Sequence, residues 1–257
     1  MQPHETIAQA IRSAAEAGQP ALVAFLTAGF PRKEDFAGRL AAIASTADVV
    51  EIGVPFSDPM ADGMTIQRSS HEALKQGVSL TWILETLSAL EEKPRAPLLL
   101  MSYLNPLLAY GLERLPGAAR GAGISGFIVP DLPFEESGEI RAALDVEGLA
   151  LVQMVTPVTP PQRLAVLCEA ARGFVYAVTM TGTTGKSVAV PDEVLEYMDR
   201  VRAAAPVPVC AGFGIRSAGQ VQRMAGHVDG VVVGSALVEV LERGADPAAF
   251  LRELRGG

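Results

Sequence analysis

The run Val49-Val50-Glu51-Ile52-Gly53 sets a carboxylate inside an otherwise apolar, β-branched stretch. A charge buried there is costly unless it is paired, so Glu51 either meets a cation or cap behind the sheet or does chemistry. Loss of water would raise its pKa, which suits a group that delivers a proton near neutral pH. The loop that follows, Val54-Pro55-Phe56-Ser57-Asp58-Pro59-Met60-Ala61-Asp62-Gly63, holds two more acids among turn formers. Asp58, between Ser57 and Pro59, reads as a turn residue. Asp62 either folds back toward Glu51 or caps a helix that begins near Thr65, and the residues alone fit both readings. Two carboxylates in unlike surroundings could divide acid and electrostatic roles.

A second set of candidates lies late in the chain. Cys210-Ala211-Gly212-Phe213-Gly214-Ile215 and Val231-Val232-Val233-Gly234-Ser235-Ala236 each put glycine just past an apolar run. Glycines there let an anion approach backbone N–H groups, and Ser235 opening a helix would add a hydroxyl and the positive end of the helix dipole. Both clusters together point to a phosphate. The stretch Thr179-Met180-Thr181-Gly182-Thr183-Thr184-Gly185-Lys186-Ser187-Val188 is long and polar for a strand-to-helix connection and reads as a mobile lid. It superficially evokes a nucleotide-binding loop, but only two threonines separate Gly182 from the Gly185-Lys186 pair, where that motif needs four residues. The four lysines, Lys33, Lys75, Lys93 and Lys186, fall outside the predicted strands, which leaves no well-placed amine for a Schiff base. His4, His71 and His227 are scattered, which disfavours a catalytic zinc site.

Such groups need a scaffold that converges them. Eight short apolar runs alternate with helical stretches: Ala21–Leu26, Val49–Ile52, Leu98–Met101, Gly126–Val129, Ala150–Val155, Phe174–Val178, Val207–Ala211 and Gly230–Val233. Helical patterns over Lys33–Ser45, Leu80–Glu91, Glu135–Val146, Pro161–Ala171, Asp192–Ala204 and Ala218–Ala225 lie between them, and an alanine-rich helix over Met1–Gly18 precedes them. Runs this short and continuously apolar belong to a parallel sheet covered on both faces. The alternation alone fits an open doubly wound sheet as well as a closed (β/α)₈ TIM barrel. Eight runs favour the barrel, in which chemistry gathers at the C-terminal ends of the strands. No linker or low-complexity segment divides residues 1–257, so a single TIM-barrel domain with an extra N-terminal helix is expected.

With 257 residues, 49% of them hydrophobic, the chain can bury a large core. Its net charge of -8 supplies no basic surface for nucleic acid or an anionic membrane. The start of the chain lacks the basic and apolar parts of a signal peptide, no run reaches the length of a membrane span, and Cys168 and Cys210 show no paired spacing. A cytoplasmic protein with buried thiols is the expectation.

The segment Val50–Gly63 closely resembles the signature of the tryptophan synthase alpha subunit family. Similarity extends through Leu26–Pro31, Met101–Pro106, Pro130–Pro133, Tyr176, the lid and both late glycine clusters, so it spans nearly the whole chain. The resemblance implies a (β/α)₈ lyase that splits indole-3-glycerol phosphate into indole and glyceraldehyde 3-phosphate, late in tryptophan biosynthesis. It implies Glu51 as the acid–base group that protonates indole C3, Asp62 as the acceptor for the indole N–H, and Tyr176 as an active-site tyrosine. Phe25, Tyr103 and Thr184 match positions near the indole or the lid, with Thr184 pairing with the catalytic Asp on closure. Gly185, Phe213, Gly214, Gly234 and Ser235 match the phosphate site. It further implies no cofactor in this chain, and an α₂β₂ assembly with a beta subunit that carries pyridoxal phosphate, approached through loops containing Pro59, Asn105 and Pro133. A stand-alone indole-3-glycerol phosphate lyase, a catalytically silent activator of a beta subunit and another phosphosugar barrel are the competing readings.

Overall fold

The strands follow the apolar runs. They are β1 (Ala21–Thr27), β2 (Val49–Gly53), β3 (Leu98–Met101), β4 (Ile124–Ile128), β5 (Ala150–Leu151), β6 (Gln153–Val155), β7 (Val175–Val178), β8 (Val209–Gly212) and β9 (Gly230–Val233), all parallel in one sheet. The structure is a computed structural model that describes residues 1–179 and 190–256. Hydrogen bonding runs in the order β5-β4-β3-β2-β1-β9-β8-β7-β6, so the first strand pairs with the last. β5 and β6 are two halves of the fifth predicted run, broken at Val152. The first half bonds β4, the second bonds β7, and the chain itself closes the ring between them. The result is the expected TIM barrel, with nine strand segments standing for eight barrel positions.

Side-chain parity sorts the layers. In β1, Leu22, Ala24 and Leu26 point outward into the large core beneath the helices, while Ala21 and Val23 point inward. The same alternation sends Val49 into the barrel with Leu99, Phe174, Cys210 and Val232, and Val50 and Ile52 outward. The helix Pro3–Glu16 lies across the N-terminal end of the barrel, with Ile7 and Ile11 fully buried against that inner cluster. Pro3 in its first turn and the Glu5 carboxylate, which accepts the Gln2 N–H at 2.7 Å, start this helix. The barrel is therefore plugged at one end and open at the other.

Differences from the sequence expectations have local causes. The seventh predicted run begins at Val207, but β8 starts at Val209 because Pro208 has no N–H to give to the ladder. The predicted helix Lys33–Ser45 resolves into a 3₁₀ turn, Lys33–Asp35, and an α-helix, Phe36–Ala44. Helices Leu104–Tyr110, Leu115–Gly121 and Pro247–Leu254 were not anticipated, since about two turns are too few to show a helical period and each holds a proline. Both cysteines are buried and free. Among the described residues, no helix is long and apolar enough to cross a membrane.

Candidate active site

β2 pairs with β1 and β3 in a register that sets Phe25, Glu51 and Leu99 side by side. Glu51 shares the parity of Val49 and so enters the barrel one step nearer the open mouth. It is fully buried, and neither carboxyl oxygen has a hydrogen-bond partner among the described residues. Burial pushes its pKa up to about 8. The outward alternative, a pairing behind the sheet, is not what the chain adopts.

The loop after β2 brings the second carboxylate over the same space. Asp62 does not cap the following helix: that helix, Met64–Lys75, has Gly63 at its N-cap and no side-chain cap. Instead Gln67 reaches back to the Asp62 carbonyl oxygen at 2.9 Å, and the Asp62 N–H donates to the Pro59 carbonyl at 3.1 Å. These bonds fold the loop toward the mouth. The Tyr103 hydroxyl donates to Asp62 Oδ2 at 3.2 Å and accepts the Ala61 N–H at 2.8 Å. Burial raises the Asp62 carboxyl to about 6, with the Tyr103 hydrogen bond pulling the other way. Asp58 stays exposed in its turn, with its backbone oxygen accepting the Met60 N–H.

Both carboxylates line a cavity of about 380 Å³ at the C-terminal ends of the strands. Phe25, Tyr176, Phe213, Gly214, Gly234 and Ser235 line it too. Tyr103 does not; it stands behind Asp62, buried and stacked on Phe56 with ring centroids 5.1 Å apart. Thr184, Gly185 and nearly all of the lid lie outside the described residues. Burial, then the Glu51 carboxylate, drives the Tyr176 phenol well above its ordinary pKa, so Tyr176 is a neutral donor. Among the described residues, no cluster of three or more His, Cys, Asp or Glu could hold a metal ion.

The glycines divide their work more finely than the sequence suggested. A Cβ on Gly53 would sit 2.5 Å from Phe25 Cζ, and one on Gly212 would sit 2.6 Å from Tyr176 Cε1. These two clear space for the aromatic walls. Gly214 is needed for its backbone, with φ at 73°. Gly234 precedes the helix Ser235–Glu242, whose first residues, Ser235 and Ala236, line the cavity. Sequence reasoning passed over Ile66, Met101, Met154 and Val232 on the apolar wall, and Arg216 and Gln220 beside the late glycines. The apolar four carry no chemical signature, and Arg216 looks like any loop arginine until its neighbours are known.

A wider groove of about 870 Å³ lies at the other end, beside the N-terminal helix. Its walls are alanine-rich, and its Asp48 carboxylate is tied to Arg255 and to the Leu22 N–H. It brings together no group suited to reaction.

Fold and cavity together define a (β/α)₈ barrel whose mouth joins two unlike carboxylates to a wall built from Gly212, Gly214 and Gly234. The family model for the tryptophan synthase alpha chain matches residues 11–254. The tryptophan synthase alpha chain of Solidesulfovibrio magneticus is 48% identical over 96% of this chain and 96% of its own. That of Geobacter sulfurreducens is 44% identical over 91% and 92%. Among solved structures, tryptophan synthase from Mycobacterium tuberculosis superposes with a TM-score of 0.89 at 35% identity, covering 97% of this chain and 96% of that one. A mutant tryptophan synthase alpha subunit from Pyrococcus furiosus gives 0.83 at 34% identity, covering 92% and 98%. This chain belongs to the tryptophan synthase alpha chain family.

Proposed function

We infer that the mouth cavity carries out the retro-aldol cleavage of indole-3-glycerol phosphate, the reaction of the family, with Glu51 as its acid–base group. The observation that carries this assignment is a fully buried carboxyl without a hydrogen-bond partner among the described residues, held at about 8 and therefore protonated at neutral pH. Glu51 gives its proton to indole C3. The C3–C bond to the glycerol chain then breaks with its electron pair returning to the ring, and the adjoining hydroxyl loses its proton as the aldehyde forms. That proton restores the acid. Asp62, ionised above about pH 6, accepts the indole N–H and stabilises the positive charge that builds on the ring. The Tyr176 hydroxyl and the Phe25 ring bound the indole, and Tyr103 holds Asp62.

The phosphate lies at Phe213, Gly214, Gly234 and Ser235, where backbone N–H groups and a helix N-terminus suit a dianion. Gly185 and Thr184 would complete the site from the lid. The carbon–carbon cleavage needs only acid–base assistance, so no cofactor is assigned to this chain. We place it in the cytoplasm as the partner of a pyridoxal-phosphate-bearing beta subunit in an α₂β₂ assembly. Met60 and Met64, 90% and 72% exposed in the segment that carries Asp62, supply apolar surface for such a partner beside the mouth.

Indole release from indole-3-glycerol phosphate, measured with and without a beta subunit, tests the assignment. Turnover should rise with the partner, and Glu51→Gln should lower kcat by about 10²–10⁴-fold with the fold intact. Undiminished turnover by Glu51→Gln would remove Glu51 from the chemistry, and full partner-independent turnover would favour a stand-alone lyase.

A further inference from the structure

We propose that Arg216 is a substrate-binding residue of this cavity, presenting its guanidinium to the phosphate held at the late glycines. The proposal rests on the substrate reading given above. Its first support is charge: Glu51 and Asp62 are both acidic, and Arg216 is the one cation among the described residues that line the cavity. A phosphorylated ligand that must approach the ionised Asp62 gains from a cation at its far end.

The second support is position. Arg216 follows Phe213-Gly214-Ile215 directly, and its backbone N–H donates to Gln220 Oε1 at 2.7 Å, while Ser217 caps the next helix. Its side chain then lies along the helix Ser235–Glu242, with the two terminal nitrogens each 2.8 Å from a carboxylate oxygen of Glu239. Glu239 is four residues past Ser235, about one helical turn, so the guanidinium is pinned beside the first turn of the helix whose N-terminus faces the cavity. That fork uses two of the five guanidinium N–H donors, and the other three make no hydrogen bond to the described residues. The side chain is 25% exposed. The neighbouring Arg68–Glu242 pair ties the same helix to Met64–Lys75, but it is more exposed, at 50% and 39%, and does not line the cavity. Arg68 therefore serves as an internal control.

The test is equilibrium titration of the full chain with inorganic phosphate and, separately, with indole. Arg216→Gln should weaken phosphate binding by about ten-fold, the size of one charge-assisted hydrogen bond, and leave indole binding unchanged. Arg216→Lys should recover part of the loss, and Arg68→Gln should match the wild type. In turnover, Arg216→Gln should raise KM for indole-3-glycerol phosphate and hold kcat. Unchanged phosphate affinity in Arg216→Gln would overturn the proposal. So would an equal loss for indole, which would mark a structural clasp. The double variant R216Q/E239Q separates a direct contact from simple cancellation of Glu239: it should stay weak, and a return to wild-type affinity would defeat the proposal. Phosphate titration needs no turnover, so its result stands apart from any failure of the cleavage assignment.

Discussion

At the level of single residues, Glu51 and Asp62 are the same functional group held at different points on the pH scale. Glu51 has burial and, among the described residues, no hydrogen bond to oppose it, whereas Asp62 has burial offset by the Tyr103 hydroxyl. Between about 6 and about 8 the first is protonated and the second ionised, which is the pairing the cleavage needs. Activity should therefore appear as pH rises through the Asp62 value and fade as it passes the Glu51 value. Tyr103→Phe removes the hydrogen bond that favours the Asp62 carboxylate, so the Asp62 pKa moves up. The acid limb of kcat/KM should shift to higher pH while the alkaline limb stays. An unmoved acid limb would mean that Asp62 does not set it. Glu51 was legible because a lone acid in an apolar run is anomalous by itself. Asp62 was not, since capping and mouth-facing geometries use the same residues, and only Gly63 at the N-cap with Gln67 on the Asp62 carbonyl decides between them.

Among the elements, the strands were readable because a parallel sheet buried on both faces demands the runs that the sequence displays. The break at Val152 was not, since Ala150–Val155 is apolar throughout and the interruption comes from bonding to different neighbours on its two sides. Resemblance alone puts Tyr103 near the indole or the lid, and its place behind Asp62 depends on a hydrogen bond across 41 positions of the chain. Arg216 had no sequence signal, because its meaning comes from Glu239 on another helix. The N-terminal helix was legible as a helix but not as a plug. Its role predicts a separation of effects: Ile11 is fully buried in the inner cluster, so Ile11→Ala should cost about 2–5 kcal/mol of stability. The mouth lies at the opposite end of the barrel, so KM should hold. Urea unfolding and steady-state kinetics on the same preparation check this, and a raised KM with unchanged stability would contradict the plug.

For the whole molecule, we propose that residues 1–257 form one domain, and the sheet order gives the reason. β1 bonds β9, so the first and last strands complete each other, and the cavity draws Phe25, Glu51 and Asp62 from one half of the chain and Gly214, Gly234 and Ser235 from the other. A ligand that fills both ends of the cavity therefore ties the two halves together. Binding to the native state alone stabilises by about 2.7 kcal/mol at a hundred times Kd. In a single domain that gain reaches residues far from the ligand. Trp82, the one tryptophan, reports on this: it sits in the outer helix Leu80–Ser88 against Phe36, off the cavity, with ring centroids 5.4 Å apart. Saturating a non-cleavable indole-alkyl phosphate should raise the urea midpoint of Trp82 fluorescence together with that of the helical circular dichroism. Were the phosphate end a module that unfolds by itself, the circular dichroism would shift in part and the Trp82 midpoint would stay where it is without ligand.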